Sequence, residues 1–112
     1  MADYERITLL QDICTNLGGS VEEGSDLLEI RILRGIVAAE EGEAGTGDYE
    51  RIELLRAWHA ASGESEVGTD DLEEIELLRA IGENYSAEVA EGSDYEAVRI
   101  LRAIDVATEP PE

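Results

Sequence analysis

The chain has 112 residues, with 28 Asp and Glu against 8 basic residues, all Arg, for a formal net charge of −20. That balance excludes a surface that grips phosphate, because nucleic acids and anionic membranes are held by clustered cations. With one cysteine (Cys14), an intrachain disulfide and a CxxC metal site are excluded as well, and the single histidine (His59), far from Cys14 in sequence, argues against a His-based nucleophilic site.

One eleven-residue segment is written five times. The copies begin at Asp3 (DYERITLLQDI), Asp26 (DLLEIRILRGI), Asp48 (DYERIELLRAW), Asp71 (DLEEIELLRAI) and Asp94 (DYEAVRILRAI), at spacings of 23, 22, 23 and 23 residues. A fixed short period marks a repeat architecture. Each copy predicts one short helix and one loop, giving an all-α domain over residues 1–106. The repeats fall near 3–25, 26–47, 48–70, 71–93 and 94–106, and residues 107–112 read as a disordered tail.

In the first repeat Asp3 is expected to cap the helix and Glu5 to meet the positive end of its dipole. Ile7, Leu9, Leu10 and Ile13 form its apolar face, and Gly18-Gly19 stops it. The second is expected to start at Ser25 or Asp26, to bury Ile30, Ile32, Leu33 and Ile36, and to stop near Gly42. The third starts at Asp48, carries Ile52, Leu54, Leu55 and Trp58, and stops at Ser62-Gly63. The fourth starts near Thr69 or Asp70, carries Ile75, Leu77, Leu78 and Ile81, and stops at Asn84. The fifth starts at Ser93 or Asp94, carries Val98, Ile100, Leu101 and Ile104, and stops near Val106. With the Tyr or Leu beside each aspartate, these columns span roughly 220° of helix surface. A surface helix needs less, so each helix is expected to pack on two sides. Copies one and three share Asp-Tyr-Glu-Arg-Ile whereas copies two and four carry Asp-Leu, so a helix pair of 45 residues forms a second period. Helix pairs with short polar loops favour antiparallel neighbours, and a parallel stack with extended return loops also fits these lengths. The connectors are rich in Glu, Gly and Ser, and Val21, Val67 and Val89, with Ala44 near the equivalent place, are the isolated apolar residues in them.

The polar column with a recurring role is the arginine eight residues after each aspartate: Arg34, Arg56, Arg79 and Arg102, with Gln11 in the first copy. At the edge of the apolar stripe it is suited to an ion pair with Glu or Asp of the next helix or subunit. These arginines, with Trp58 in place of the usual Ile, are the candidate interaction residues. The acidic loops do not match an EF-hand, and no catalytic, cofactor or metal motif is present. Aliphatic burial in a single copy falls short of the ordering entropy it must offset, so an oligomer is expected.

The unit D-Y-x-x-I-x-L-L-R-x-I, written at Asp48–Trp58, Asp71–Ile81 and Asp94–Ile104, resembles short helical repeats of virion structural proteins of tailed bacteriophages. Copy one departs from it at Gln11-Asp12, and copy two at Leu28 and Gly35. The resemblance implies a non-enzymatic building block: a head-decoration, neck or fibre-associated subunit that binds copies of itself and other virion proteins. It would be made in the host cytoplasm and be found in the virion, with no cofactor, small-molecule substrate, membrane or direct nucleic-acid partner. The alternative from composition is an acidic binding module, or DNA mimic, that occupies a basic site on another protein.

Overall fold

A computed structural model of the chain describes residues 2–21, 23–24, 27–42, 50–67, 73–92 and 95–109. It contains five helices: α1 (Ala2–Asn16), α2 (Leu28–Ala39), α3 (Glu50–Ser62), α4 (Glu73–Asn84) and α5 (Glu96–Thr108). Among the described residues there is no strand. Each helix packs on two others, α1 on α2, α2 on α3, α3 on α4 and α4 on α5, and α5 packs back on α1. The repeats therefore close into a ring within one chain.

The five helices run in parallel. At one end Arg6, Glu29, Arg51 and Glu74, each within the first turns of its helix, meet in one cluster. At the other end Asn16, the last residue of α1, donates to Asp105 O (3.1 Å) and Thr108 Oγ1 (3.2 Å) near the end of α5. Asn84, the last residue of α4, donates to His59 O (3.1 Å) and Ser62 Oγ (2.9 Å) at the end of α3. N-termini thus gather at one end and C-termini at the other. A helix of twelve or thirteen residues is about 18–20 Å long, and ten extended residues reach about 33 Å. Each connector has length to spare to return outside the ring.

Two connectors demonstrably run along the helix that follows them. A Cβ on Gly35 of α2 would lie 2.4 Å from Ser20 O of the first connector. Arg99 of α5 donates to Ala90 O of the last (3.3 Å). This course accounts for the small buried residues nine positions after the aspartate in those two repeats, Gly35 and Ala103; Ala57 and Ala80 in the same column are buried too. In α1, which no described connector covers, the same column holds the exposed Asp12, flanked by exposed Gln11 and Thr15.

The core follows the predicted columns. Leu10, Leu33, Leu55, Leu78 and Leu101 are each 2 % exposed or less and converge on the ring axis beneath the charged cluster. Ile13, Ile36, Trp58, Ile81 and Ile104 are fully buried. The space left on the axis is about 10 Å³, so the ring is a filled barrel with no pore.

Several boundaries differ from expectation. Asp3 lies inside α1, not before it. The N-cap residues of α2 and α5 are Leu27 and Tyr95, and neither makes a side-chain cap bond. The other expected caps (Ser25, Asp26, Asp48, Thr69, Asp70, Ser93 and Asp94) lie outside the described residues, as does Ala44. Helix α5 continues through Ala107 and Thr108, because Thr108 Oγ1 donates to Ile104 O (2.8 Å) and accepts from Asn16; Pro110–Glu112 lie outside the described residues. Helices α1, α2 and α4 end in Schellman motifs, with six-residue bonds Gly19 N to Cys14 O, Gly42 N to Val37 O and Ala87 N to Gly82 O, each 2.8 Å. The left-handed residue is glycine only at Gly18; Glu41 (φ 62°) and Ser86 (φ 58°) take it in the others. Gly42 lies one position later, where an added Cβ would crowd Ala61 and Ala57 O.

Two glycine substitutions should change stability in opposite directions. Gly82 sits in α4 with room for a Cβ, whose nearest neighbours would be 3.8–4.0 Å away. Gly82→Ala is expected to stabilise the protein by about 0.5–1 kcal/mol. Gly35→Ala drives a Cβ into connector backbone and is expected to cost about 1–3 kcal/mol. Urea denaturation followed by circular dichroism measures both.

Candidate functional site

Three of the four candidate arginines complete pairs around the ring. Arg56 donates to Glu73 of α4 (Nε 2.9 Å, Nη2 2.5 Å) and Arg79 to Glu96 of α5 (Nε 2.6 Å). Arg102 of α5 donates to Glu5 of α1 (Nε 3.0 Å) and closes the circle. Each guanidinium reaches from the middle of one helix to the first turn of the next. Helical side chains lean toward the N-terminus, which makes this direction the accessible one. Arg34 is half-buried on α2 beside Gly18, Gly19 and Ser20 and has a partner within the chain. The arginine column is thus an intrachain belt.

Trp58 is 0 % exposed. Its indole N–H donates to Tyr85 Oη (3.0 Å), which donates to Glu40 Oε2 (2.5 Å), so one chain of bonds ties α2, α3 and the end of α4. Burial first, then the Glu40 carboxylate, push the Tyr85 phenol up, and it stays protonated. The neighbouring His59 donates from Nε2 to Ser65 O (2.5 Å) and holds the third connector down. Cys14 is 1 % exposed, and burial pushes its thiol up, so it is an inert core residue.

The charged cluster at the N-terminal end comes from the position three after each aspartate: Arg6, Glu29, Arg51, Glu74 and Ala97. Around the ring the charges read plus, minus, plus, minus, neutral. Arg6 lies 3.0 Å from Glu29, Arg51 Nε 3.3 Å from Glu29, and both arginines reach Glu74. Five positions cannot alternate in sign without placing like charges side by side. Ala97, small and neutral, resolves that parity and lets Glu74 meet Arg6 past α5. The cluster is incompletely satisfied: Arg6 Nε and Arg51 Nε are buried with no acceptor in line. Sequence reading missed this ring, although the alternation R, E, R, E, A is visible once the copies are aligned.

The C-terminal end has the opposite character. All eight arginines fall within the first nine residues of their repeats. Helices α1, α2, α4 and α5 have no basic residue in the last turn, and α3 has only His59. Five parallel helices direct the negative ends of their dipoles here, where Glu41, Glu64, Glu83 and Glu109 are exposed. Among the described residues no group of His, Cys, Asp and Glu could hold a metal ion, and no helix is long and apolar enough to cross a membrane. A shallow groove of about 440 Å³ runs between the last connector and α5; the two arginines in its lining, Arg99 and Arg102, are already engaged.

Asp105 shows what this end costs. Burial, with repulsion from Asp12 added, pushes its carboxyl above the ordinary range against the opposing Asn16 bond. The folded state therefore holds this proton more tightly than the unfolded chain. Well below the ordinary carboxylate pKa both states are protonated and the group costs nothing. Stability falls as the pH rises from that value through the raised one, and the loss persists above it. Asp105→Asn keeps an acceptor for Asn16 and removes the charge. It is expected to raise Tm over the parent at about pH 7, a gain that vanishes near pH 3, as thermal melts at the two pH values will show. At the other end, Glu74→Gln leaves Arg6 and Arg51 sharing one carboxylate and is expected to cost about 1–3 kcal/mol in urea denaturation.

Comparison of the chain with known protein families, curated proteins and solved structures gave no match.

Proposed function

We propose that the protein is a non-enzymatic binding module that presents a rigid acidic ring to a basic surface on another protein. The observation that carries this reading is that all eight arginines have partners within the chain. Their charge is engaged within the chain, and the carboxylate surplus is what the exterior offers. Closure of the ring also buries the apolar columns internally, so neither the arginine column nor Trp58 is left over to join copies. A field of this size steers cationic partners and accelerates their encounter.

The second reading is the virion building block that the repeat resemblance implies. It is favoured by exposed apolar side chains at the N-terminal end of the ring, Leu27 (76 %) and Tyr95 (72 %), which suit a subunit contact.

Titration of a labelled Arg-rich peptide against the protein, followed by fluorescence anisotropy, separates the two readings. The binding module is expected to bind it at about 50 mM salt and to lose most of that affinity by about 500 mM. Competition with duplex DNA for a DNA-binding protein would mark the module as a DNA mimic. No binding at low salt, together with a discrete homo-oligomer in light scattering, would sink the module and leave the assembly reading.

A further inference from the structure

Four of the five outer seams between neighbouring helices receive chain that has left the preceding helix. Ser20 O of the first connector lies where a Cβ on Gly35 of α2 would fall, and Gly42, just past α2, packs beside Ala57 O and Ala61 of α3. Ser65 N of the third connector donates to Asn84 Oδ1 of α4 (2.9 Å), and Ala90 O of the last accepts from Arg99 of α5 (3.3 Å). No described connector covers the fifth seam, between α5 and α1. There Gln11, Asp12 and Thr15 are exposed, and Asp12 occupies the column that holds Gly35, Ala57, Ala80 and Ala103 in the other helices. Across the seam, half-buried Asp105 of α5 accepts from Asn16 of α1 (2.9 Å), one turn beyond Asp12. Burial, and then the Asp12 charge, raise the Asp105 carboxyl, so the two groups repel each other across the seam. Among the described residues neither is paired with an arginine. Arg102, which crosses the same seam, holds Glu5 toward the N-terminal end, and α1 and α5 have no basic residue in the last turn.

We propose that the α5–α1 seam docks an extended cationic segment of a partner protein, which lies along α1 as a connector lies along the helix that follows it and places a Lys or Arg side chain between Asp12 and Asp105. The proposal rests on the reading of the protein as a module for basic partners, and it places the contact. The fold sets the form of the occupant, because α5 and α1 pack as the other neighbours do and those seams accept an extended chain. Charge sets its chemistry. The two carboxylates repel each other at the end of the ring to which the helix dipoles direct their negative ends. A cation brought between them turns that repulsion into attraction, and the partial burial of Asp105 shields the contact from salt better than an exposed pair. Asp12 also sets the reach. Gly35 admits connector backbone directly against its helix, whereas the larger Asp12 holds a backbone farther out, where a long cationic side chain spans the gap. A second copy is a poor occupant: it has no Lys, and its eight arginines already have partners within their own chain.

A labelled synthetic peptide alternating Lys with Ser, followed by fluorescence anisotropy at about 50 mM salt, tests this. It is titrated into the parent, into Asp12→Asn/Asp105→Asn, and into Glu41→Gln/Glu64→Gln, which removes as much charge at exposed positions away from the seam. The single variant Asp12→Asn, at an exposed position, is run beside them, and circular dichroism confirms that each protein folds. The double seam variant is expected to bind the peptide about tenfold more weakly than the parent, Asp12→Asn to fall between, and the control to lose no more than about twofold. In the parent, the amide NMR shifts that the peptide causes should centre on residues 11–16 and 105–109. Equal losses in the seam and control variants, shifts spread evenly around the ring, or unchanged binding in the seam variants would each overturn the seam proposal and leave the binding module standing. A parent that does not bind the peptide overturns both.

Discussion

The contact between α5 and α1 is the one on which the rest of the structure depends. Each helix carries an apolar stripe too wide for a single interface, so an open row of five would leave one flank of α1 and one flank of α5 in water. Closing the row gives every stripe two neighbours and places five leucines on a common axis, where no aromatic ring is needed to fill the centre. Arg102 and Glu5, 97 residues apart in sequence, seal that closure with the same pair that Arg79 and Glu96 make 17 residues apart. Local repetition thus produces a long-range contact because the same geometry recurs until it meets itself.

Parallel alignment follows from closure by connectors of near-constant length, and it has an electrostatic cost. All five dipoles add. At the N-terminal end the cost is offset by first-turn glutamates, which the arginine belt in turn ties to the preceding helices. No such compensation exists at the C-terminal end, where Asn16 and Asn84 satisfy carbonyls of neighbouring helices without adding charge. The Asp105 carboxyl at this end is raised by its burial, with the Asp12 charge added. A molecule built this way is acidic everywhere but polarised along its axis.

Much of this was legible in the sequence. The five copies give the number of helices, the spacing of Ile, Leu and Val gives their buried faces, and the breadth of the stripe gives two-sided packing. The arginine column is visible at the edge of the stripe, although the sequence leaves open whether its partner is the next helix or another subunit; Arg56, Arg79 and Arg102 reach the next helix. Orientation was not legible, because an apolar stripe has no polarity along its length and the connectors were long enough for either arrangement. Closure was hidden for a related reason: identical columns look the same in an open row and in a ring. The residues that betray it are exceptions to the repeat. Asp12 replaces Gly or Ala where no described connector lies, and Ala97 replaces a charge where alternation would fail. Leu27 and Tyr95 misled in the other direction, since a repeated apolar residue reads as core until its exposure is seen.

Every connector leaves the C-terminal end of one helix and enters the N-terminal end of the next, and α5 stands to α1 as each helix stands to its successor. The order of the helices along the chain is therefore a convention of where the polypeptide happens to be cut, and the ring itself has no first member. A connector from α5 to α1, with a new opening between any other two helices, would describe the same barrel in a rotated reading frame. Only the outer face of α1 resists this equivalence. Asp12, Gln11 and Thr15 mark a seam, and moving the seam would require exchanging those polar residues for alanine there and writing them into whichever helix became uncovered.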